Sequence, residues 1–247
     1  YMEPVGPESG TTPITVEYVK GVERLCRKYG ALLVFDEVVT GFRIGMAGAQ
    51  GYFGVSPDLT IFGKVIAGGY PGAGGIGGKR EYMKYLGAGL DSSGKKIHKA
   101  LVGGTMTANP LSCCAGYFTL EEIERTNACQ KAGQMGDRIC AGLKELVKKH
   151  GLPFVVWNTG SICHLETVGT MHYQINWKKP WEIPAILGET GVRQKEMEHM
   201  GAAYMAEGLV TLAGSRLYTS AAYTPKMIDQ ALACFDRVFE NVAVKAD

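Results

Sequence analysis

Two side chains with complementary chemistry each follow a short strand-like run. Asp36 comes directly after residues 31–35, which are all apolar, and Lys64 comes after residues 59–62 and a single glycine. Open α/β sheets bind ligands at the carboxyl ends of their strands, so we expect the two side chains to share a site. Partial desolvation there would favour the neutral lysine amine, which can form a Schiff base with a carbonyl compound.

Each of these residues also has an ordinary structural interpretation. An aspartate at the end of a strand often caps a helix or fixes a loop, and a lysine often extends its ammonium group into solvent. A buried carboxylate still needs a partner, because leaving it unpaired is costly. Together, Asp36 and Lys64 predict a cofactor site with an amine at one end and a carboxylate at the other.

A glycine-rich motif offers a rival interpretation. Residues 72–77 match the dinucleotide-binding pattern G-x-G-x-x-G. No convincing strand leads into this motif, however, and Pro71 precedes it. The surrounding segment is so rich in glycine that a chance match is easy. The motif is therefore weak support for a dinucleotide site.

A protein of a different class is the second alternative. Residues 32–37 resemble the metal-binding strand of a P-loop ATPase, which also requires the loop G-x-x-x-x-G-K-[ST]. The nearest candidate loop ends at Gly78 and Lys79, but Ala73 stands where its first glycine should be and Arg80 where its hydroxyl should be. A nucleotide-binding ATPase-like module remains the alternative in a different class.

The apolar pattern predicts an α/β protein. An amphipathic helix over residues 15–29 stops at Gly30, and an apolar strand follows at 31–35, which is typical of a parallel sheet covered by helices. A second strand is expected at 59–62, and the glycine-rich segment 67–78 is interpreted as turns with one brief strand. The later elements are predicted as helices after Asn109 and at 128–149, 192–207 and 225–241, and as strands near 153–157 and 161–167.

Apolar stripes on two of these helices predict the face that each one buries. The first helix presents Val19, Val22, Leu25, Cys26 and Tyr29 on one side. The helix after Asn109 presents Leu111, Cys114, Ala115 and Phe118. We expect the second set to be buried.

Composition narrows the class of protein further. The 247 residues are 46% hydrophobic and 20% charged. The net charge is +2 and the sequence has no long basic run, so it does not predict a nucleic-acid-binding surface. No stretch of 18 apolar residues predicts a membrane helix. The seven cysteines are odd in number and lack metal-type spacing, which favours buried reduced thiols and a cytoplasmic location over disulfides or a metal site.

Two ordered motifs resemble a known family. Residues Phe35–Arg43, followed by Pro57–Lys64, are similar to class III (subgroup II) aminotransferases, which use pyridoxal 5′-phosphate and have the α/β fold called fold type I. Within that class the sequence looks closest to the glutamate-1-semialdehyde 2,1-aminomutase branch. The residues that point there are the Glu3–Val5 opening, Ala47–Gln50, and Gly103–Thr105 before Asn109 and Pro110.

The resemblance implies a role for each matching residue. Asp36 would pair with the pyridine nitrogen of the cofactor, and Val38 would pack against its ring. Lys64 would hold the cofactor as a Schiff base and then move the substrate proton. Thr105, with Gly104 beside it, would bind the cofactor phosphate of a neighbouring subunit, which implies a homodimer.

Two departures from the aminomutase pattern leave the reaction open. The glycine-rich loop reads Pro71–Gly74 as P-G-A-G, where the branch usually has P-V-G-A. Arg216 stands where aminomutases tend to have an apolar residue and where ω-aminotransferases often bind a substrate carboxylate. Glu8 is spaced to be the glutamate that neutralises such an arginine. Both Arg216 and Glu8 are therefore candidate substrate-binding residues, and a racemase or epimerase of the same fold is a further alternative.

The resemblance also predicts the organisation of the chain. Residues 1–112 would form the C-terminal part of the large cofactor-binding domain, and residues 113–247 the small C-terminal domain. Family members are longer, so an N-terminal half that completes the site is expected from another segment or chain. The implied partners are a small-molecule amino donor and acceptor, with neither nucleic acid nor membrane.

Overall fold

The computed structural model describes residues 1–5, 13–87, 89–167 and 178–243. The described chain falls into two compact units, the first covering residues 1–5 and 14–129 and the second covering residue 13 and the described residues from 130 onwards. This division reflects compactness within the chain. The family-based domain boundary between residues 112 and 113 is a separate matter and stays a prediction.

The first unit is built around a small mixed sheet. Strand β1 (Val34–Glu37) pairs in parallel with β2 (Leu59–Phe62), and β2 pairs antiparallel with β3 (Gly75–Gly78). Its helices are α1 (Val16–Tyr29), α2 (Gly48–Phe53), α3 (Arg80–Met83) and α4 (Pro110–Thr126). Its core is formed by buried apolar side chains, among them Val19, Leu33, Phe35, Val39, Ala49, Phe53, Val55 and Ala67.

Helix α1 begins and ends where the sequence predicts, but it buries less than its apolar stripe suggests. Thr15 accepts a hydrogen bond from the backbone N–H of Tyr18 at 3.1 Å, and Gly30 ends the helix in the left-handed conformation at φ 63°. Val19 is fully buried, whereas Leu25 is 55% exposed and Tyr29 is 72% exposed. The apolar face of α1 is therefore only partly buried.

Helix α4 buries a face of small residues, so the predicted core face of Leu111, Cys114 and Phe118 is wrong. The buried residues are Ser112 and Gly116, while Leu111 and Phe118 are each 62% exposed. The reason is a close backbone approach to the 3-10 turn Lys64–Ala67, because a Cβ at Gly116 would overlap the carbonyl oxygen of Ile66. Larger side chains could not face that turn.

The second unit packs helices against an antiparallel sheet. Strands β4 (Val155–Thr159), β5 (Ile162–Glu166) and β6 (Arg216–Tyr218) pair in that order. The helices are α5 (Ala128–Lys149), whose first two residues belong to the first unit, α6 (Ile183–Ala206) and α7 (Pro225–Ala243). The core of this unit contains Ile139, Cys140, Leu143, Val156, Cys163, Leu165, Tyr204, Ile228, Phe235, Val238 and Phe239.

The cysteines are free, but only some are buried. Cys140 and Cys163 lie in the core of the second unit, whereas Cys113 and Cys114 on α4 are exposed. The expectation of buried reduced thiols therefore holds for only part of the set. Among the described residues, no helix is both long enough and apolar enough to cross a membrane.

Candidate active site

Asp36 lies at the carboxyl end of β1 with both carboxylate oxygens engaged. The backbone N–H of Val38 donates to Oδ1 at 2.9 Å, and the hydroxyl of Tyr1 donates to Oδ2. The side chain is half-buried, between the buried Phe35 and Glu37. Asp36 is thus a carboxylate in a fixed orientation that still has lone pairs for a further donor.

The neighbouring carboxylate, Glu37, has a different environment. Its side chain is fully buried and accepts hydrogen bonds from the Thr40 hydroxyl at 3.0 Å, the Ala49 N–H at 2.6 Å and the Gln50 N–H at 3.3 Å. The backbone donors lie in the first turn of α2, where an anion is favourable. Glu37 therefore fixes the segment after β1 and is not available to a ligand.

Lys64 lies one residue beyond β2, the parallel neighbour of β1. In the register of the two strands, Asp36 is opposite Ile61 and Glu37 is opposite Phe62. Asp36 and Lys64 therefore both lie at the carboxyl-end edge of the sheet. The backbone of Lys64 is left-handed, with φ 51°. A non-glycine residue in that region costs about 1–3 kcal/mol, and such strain clusters at functional sites.

The side chain of Lys64 is exposed, which differs from the partial desolvation expected from the sequence. It lines an open groove of about 690 Å³ together with residues from the following turns and from α4, including Gly68, Tyr70, Thr119 and Ile123. The walls are mainly apolar, so the groove could accept the apolar part of a small molecule beside the amine.

Val38 packs over the residue that precedes the lysine. A Cβ at Gly63 would lie 3.2 Å from Cγ1 of Val38, which is tighter than an ordinary contact. Val38 is half-buried and follows Asp36 by two residues. An apolar side chain thus lies near both the carboxylate end and the amine end of the candidate site.

Gly104 and Thr105 lie in an exposed segment that leads into α4. This segment is held against the glycine-rich loop after Lys64, because the Ala108 N–H donates to Gly72 O at 3.0 Å and the Ser112 hydroxyl donates to Pro71 O at 2.6 Å. A Cβ at Gly72 would lie 2.6 Å from Met106 O, so glycine is needed there. The predicted phosphate-binding role of Thr105 stays a prediction.

The two candidate substrate-binding residues are Arg216 and Glu8. Arg216 is buried on β6 in the second unit, opposite His164 of β5. Glu8 lies outside the described residues. The carboxylate-binding roles assigned to both stay predictions.

Several polar residues near these strands were not predicted from the sequence. Tyr1 is one, and the buried Asp58 is another. Asp58 joins Arg27 at 2.8 Å, Lys79 at 2.6 Å and the Leu33 N–H at 2.8 Å. Burial opposes its ionisation, but the hydrogen bonds from these donors and the guanidinium charge outweigh that effect and lower the pKa of Asp58. A pairing of Asp58 with distant cations has no local sequence signal.

A further unpredicted group lies in the second unit. His164 is fully buried and stacks on Trp157 with ring centroids 4.0 Å apart, and its Nδ1 lies 3.5 Å from Glu166 Oε1. An alternating strand pattern could have placed these residues on one face of the sheet, since Trp157 and His164 are cross-strand neighbours.

Solved structures with the same fold are transaminases. A β-phenylalanine aminotransferase from Variovorax paradoxus is similar over 99% of this chain and 52% of its own, with a TM-score of 0.78 and 22% identity. A structure described as a transaminase with PLP bound gives a TM-score of 0.77 at 22% identity, over 98% of this chain and 52% of its own. The predicted α/β fold, fold type I of the pyridoxal-phosphate-dependent transferases, is confirmed.

The chain belongs to the class III aminotransferase family, whose sequence model matches residues 1–213. Curated relatives include glutamate-1-semialdehyde 2,1-aminomutase 1 from Staphylococcus epidermidis, 41% identical over 161 residues, or 65% of this chain and 35% of the relative. Glutamate-1-semialdehyde 2,1-aminomutase 2 from Shouchella clausii is 35% identical over 99% of this chain and 52% of the relative. The chain thus spans about half the length of such relatives, or less.

These findings exclude two of the alternative functions considered from the sequence, an ATPase-like module and a dinucleotide site. Membership of the class III family excludes the ATPase-like module. The dinucleotide motif also fails, because Gly75–Gly77 lie inside β3, which pairs antiparallel with β2 and does not open a long helix.

Proposed function

We propose that this chain forms part of a pyridoxal-phosphate-dependent enzyme that moves an amino group on a small amino acid or amine, as an aminotransferase or an aminomutase. The observation that carries the proposal is the placement of Asp36 and Lys64 at the ends of two neighbouring parallel strands, with Lys64 in a left-handed conformation. Family membership and the relatives named as aminomutases support this activity.

The residues fit the two ends of this cofactor. The Asp36 carboxylate would accept the N–H of the protonated pyridine ring, Val38 would pack against the ring, and the Lys64 amine would hold the cofactor covalently. When bound, the cofactor supplies an electron sink for the charge left at the substrate Cα. Lys64 would then carry the proton from Cα. Gly104 and Thr105 would bind the phosphate of the cofactor in a neighbouring subunit.

Covalent trapping tests the role of Lys64. After borohydride reduction of the purified enzyme, the cofactor should be found on the peptide that contains Lys64, and Lys64→Ala should abolish both the label and turnover. Lys96→Ala is a control for loss of an exposed lysine from the same unit. A label on Lys79, or full turnover in Lys64→Ala, would contradict the assignment.

Asp36→Asn tests the carboxylate end. The amide cannot keep the pyridine nitrogen protonated, so kcat should fall by orders of magnitude, on the scale seen when a charge-stabilising group is lost. The protein should still fold and still give the Lys64-linked label after reduction. Turnover close to that of the unmodified enzyme would mean that Asp36 is structural.

Product analysis separates this proposal from a racemase or epimerase, which would use the same Asp36 and Lys64 but return the proton to Cα. An aminotransferase yields an oxo product from the donor and aminates the acceptor, and an aminomutase yields a positional isomer. Inversion at Cα with neither product would favour the racemase.

The proposal extends to the assembly and the location of the enzyme. The site would be completed by a second copy of the chain and by an N-terminal half that supplies further phosphate ligands, in the cytoplasm. Arg216, paired with Glu8, would bind a substrate carboxylate in this assembly.

A further inference from the structure

The first residues of the chain run alongside β1. The Met2 N–H donates to Val34 O at 3.0 Å, and the Asp36 N–H donates to Met2 O at 2.8 Å, which makes Met2 the parallel partner of Phe35. Side chains alternate between the two faces of a sheet, so Tyr1 belongs to the same face as Asp36. The backbone pairing therefore brings the tyrosine to the carboxylate.

The hydroxyl of Tyr1 donates a hydrogen bond to Asp36 Oδ2, while the Val38 N–H donates to Oδ1. Each carboxylate oxygen thus has one donor, and the plane of the carboxylate is fixed from two sides. Two oxygens have about four lone-pair sites, so the anion can still accept the N–H of a protonated ring. The hydrogen bond that Tyr1 donates to Asp36 raises the pKa of Tyr1, and desolvation and the negative charge of Asp36 raise it further. The raised pKa keeps the phenol protonated as a donor.

We propose that Tyr1 is a positioning residue for Asp36, holding the carboxylate in the orientation in which it pairs with the pyridine nitrogen of the cofactor. This inference rests on the proposed function of Asp36. The Val38 N–H is a backbone donor that any residue at that position supplies, whereas the donor on Oδ2 depends on the side chain of Tyr1. Substitution of Tyr1 can therefore remove one restraint and leave the other.

The contact itself can be tested without cofactor. In the cofactor-free enzyme with ¹³Cζ-labelled tyrosine, the resonance lost in Tyr1→Phe should be less ionised at pH about 10 than those of ordinary tyrosines, which are half ionised there. In Asp36→Asn the same resonance should ionise in the ordinary range. Tyr117→Phe is the matched control. Tyr117 donates a hydrogen bond of 2.7 Å to Glu121, a carboxylate other than Asp36, so this substitution should leave the Tyr1 resonance unchanged. Ordinary ionisation of Tyr1 in the unmodified protein would overturn the inference.

The consequence for the site is tested with cofactor bound. Tyr1→Phe should lower kcat about tenfold, the lower end of the effect of losing a hydrogen bond to a charged group, with KM for the amino donor nearly unchanged. It should have no added effect in the Asp36→Asn background, because the group it positions is then gone. Unchanged kcat in Tyr1→Phe, or equal effects in both backgrounds, would overturn the inference. The absence of a cofactor label on Lys64 would contradict the proposed function. The tyrosine resonances would still test the contact between Tyr1 and Asp36 separately.

Discussion

At the scale of single residues, Lys64 has a backbone conformation that the sequence does not predict. The strand-like run before it located the amine correctly at the end of β2, and the parallel partner of β2 carries Asp36. The φ of Lys64 is 51°, and this residue begins the 3-10 turn that α4 contacts with residues far along the chain. The positions of the two candidate residues were therefore predictable, but the strain and the exposure of Lys64 were not.

Gly48 is a residue whose identity is set by a buried charge. Its φ of 56° is left-handed, and a Cβ there would overlap Oε2 of Glu37. Gly48→Ala should therefore add the cost of the left-handed conformation to that of displacing a buried, hydrogen-bonded carboxylate. We expect a loss of about 3 kcal/mol or more in the free energy of unfolding.

Gly54→Ala is the matched control for this effect. Gly54 ends the same helix with φ 62°, and no heavy atom lies within 4 Å of a Cβ built there. Its substitution should cost only the left-handed conformation, about 1 kcal/mol. Urea unfolding of the two variants gives the difference, and equal losses would mean that the Glu37 carboxylate can move away at no cost.

At the scale of elements, local patterns predicted boundaries better than partners. The bounds of α5 and β2 match the prediction because the helical repeat and the short strand are encoded within each segment. Strand β6 was not predicted, since three residues become a strand only by pairing with β5. The face of α4 was predicted wrongly, because its small residues meet a turn that no local pattern describes.

The carboxylate of Asp58 links three parts of the first unit. It contacts Arg27 in the last turn of α1, the N–H of Leu33 just before β1, and Lys79 just after β3. Asp58→Asn removes the buried charge from this cluster, but Arg27 and Lys79 are 41% and 40% exposed and can be solvated. We therefore expect a loss of about 1–2 kcal/mol in the free energy of unfolding at pH 7. Asp229→Asn removes an exposed ion pair with Arg138 and should cost less than about 1 kcal/mol.

The contribution of Asp58 should also depend on pH in a defined direction. The pKa of Asp58 is lower in the folded state than its ordinary value, so the folded state favours the ionised form. That stability is fully present above the unfolded pKa of about 4 and is lost as pH falls through the lower folded pKa. The difference in unfolding free energy between Asp58→Asn and the unmodified protein should therefore shrink below pH about 4. A difference that stays constant with pH would mean that Asp58 does not act as an anion.

At the scale of the whole molecule, each unit has its own apolar core, and each also leaves large apolar side chains in solvent. In the first unit several of them lie before and along α4, where Leu101 is 100% exposed and Val102, Met106, Leu111, Tyr117 and Phe118 are each about 60% exposed. Patches of this kind normally mark a surface that another chain or segment covers. The curated relatives, about twice as long as this chain or longer, have further sequence that could do so.

We therefore predict that residues 1–247 expressed alone will associate nonspecifically and remain colourless with added pyridoxal phosphate. The described residues supply an amine, a carboxylate and one candidate phosphate ligand, whereas a doubly charged phosphate normally takes several backbone donors at a helix N-terminus. Co-expression with a segment equivalent to the rest of the relatives should restore a monodisperse, yellow protein, as judged by light scattering and visible absorption. The double variant Leu111→Ser/Phe118→Ser separates the two effects, because it should reduce association of the lone chain without restoring colour. A lone chain that is yellow and active would show that residues 1–247 hold the complete site.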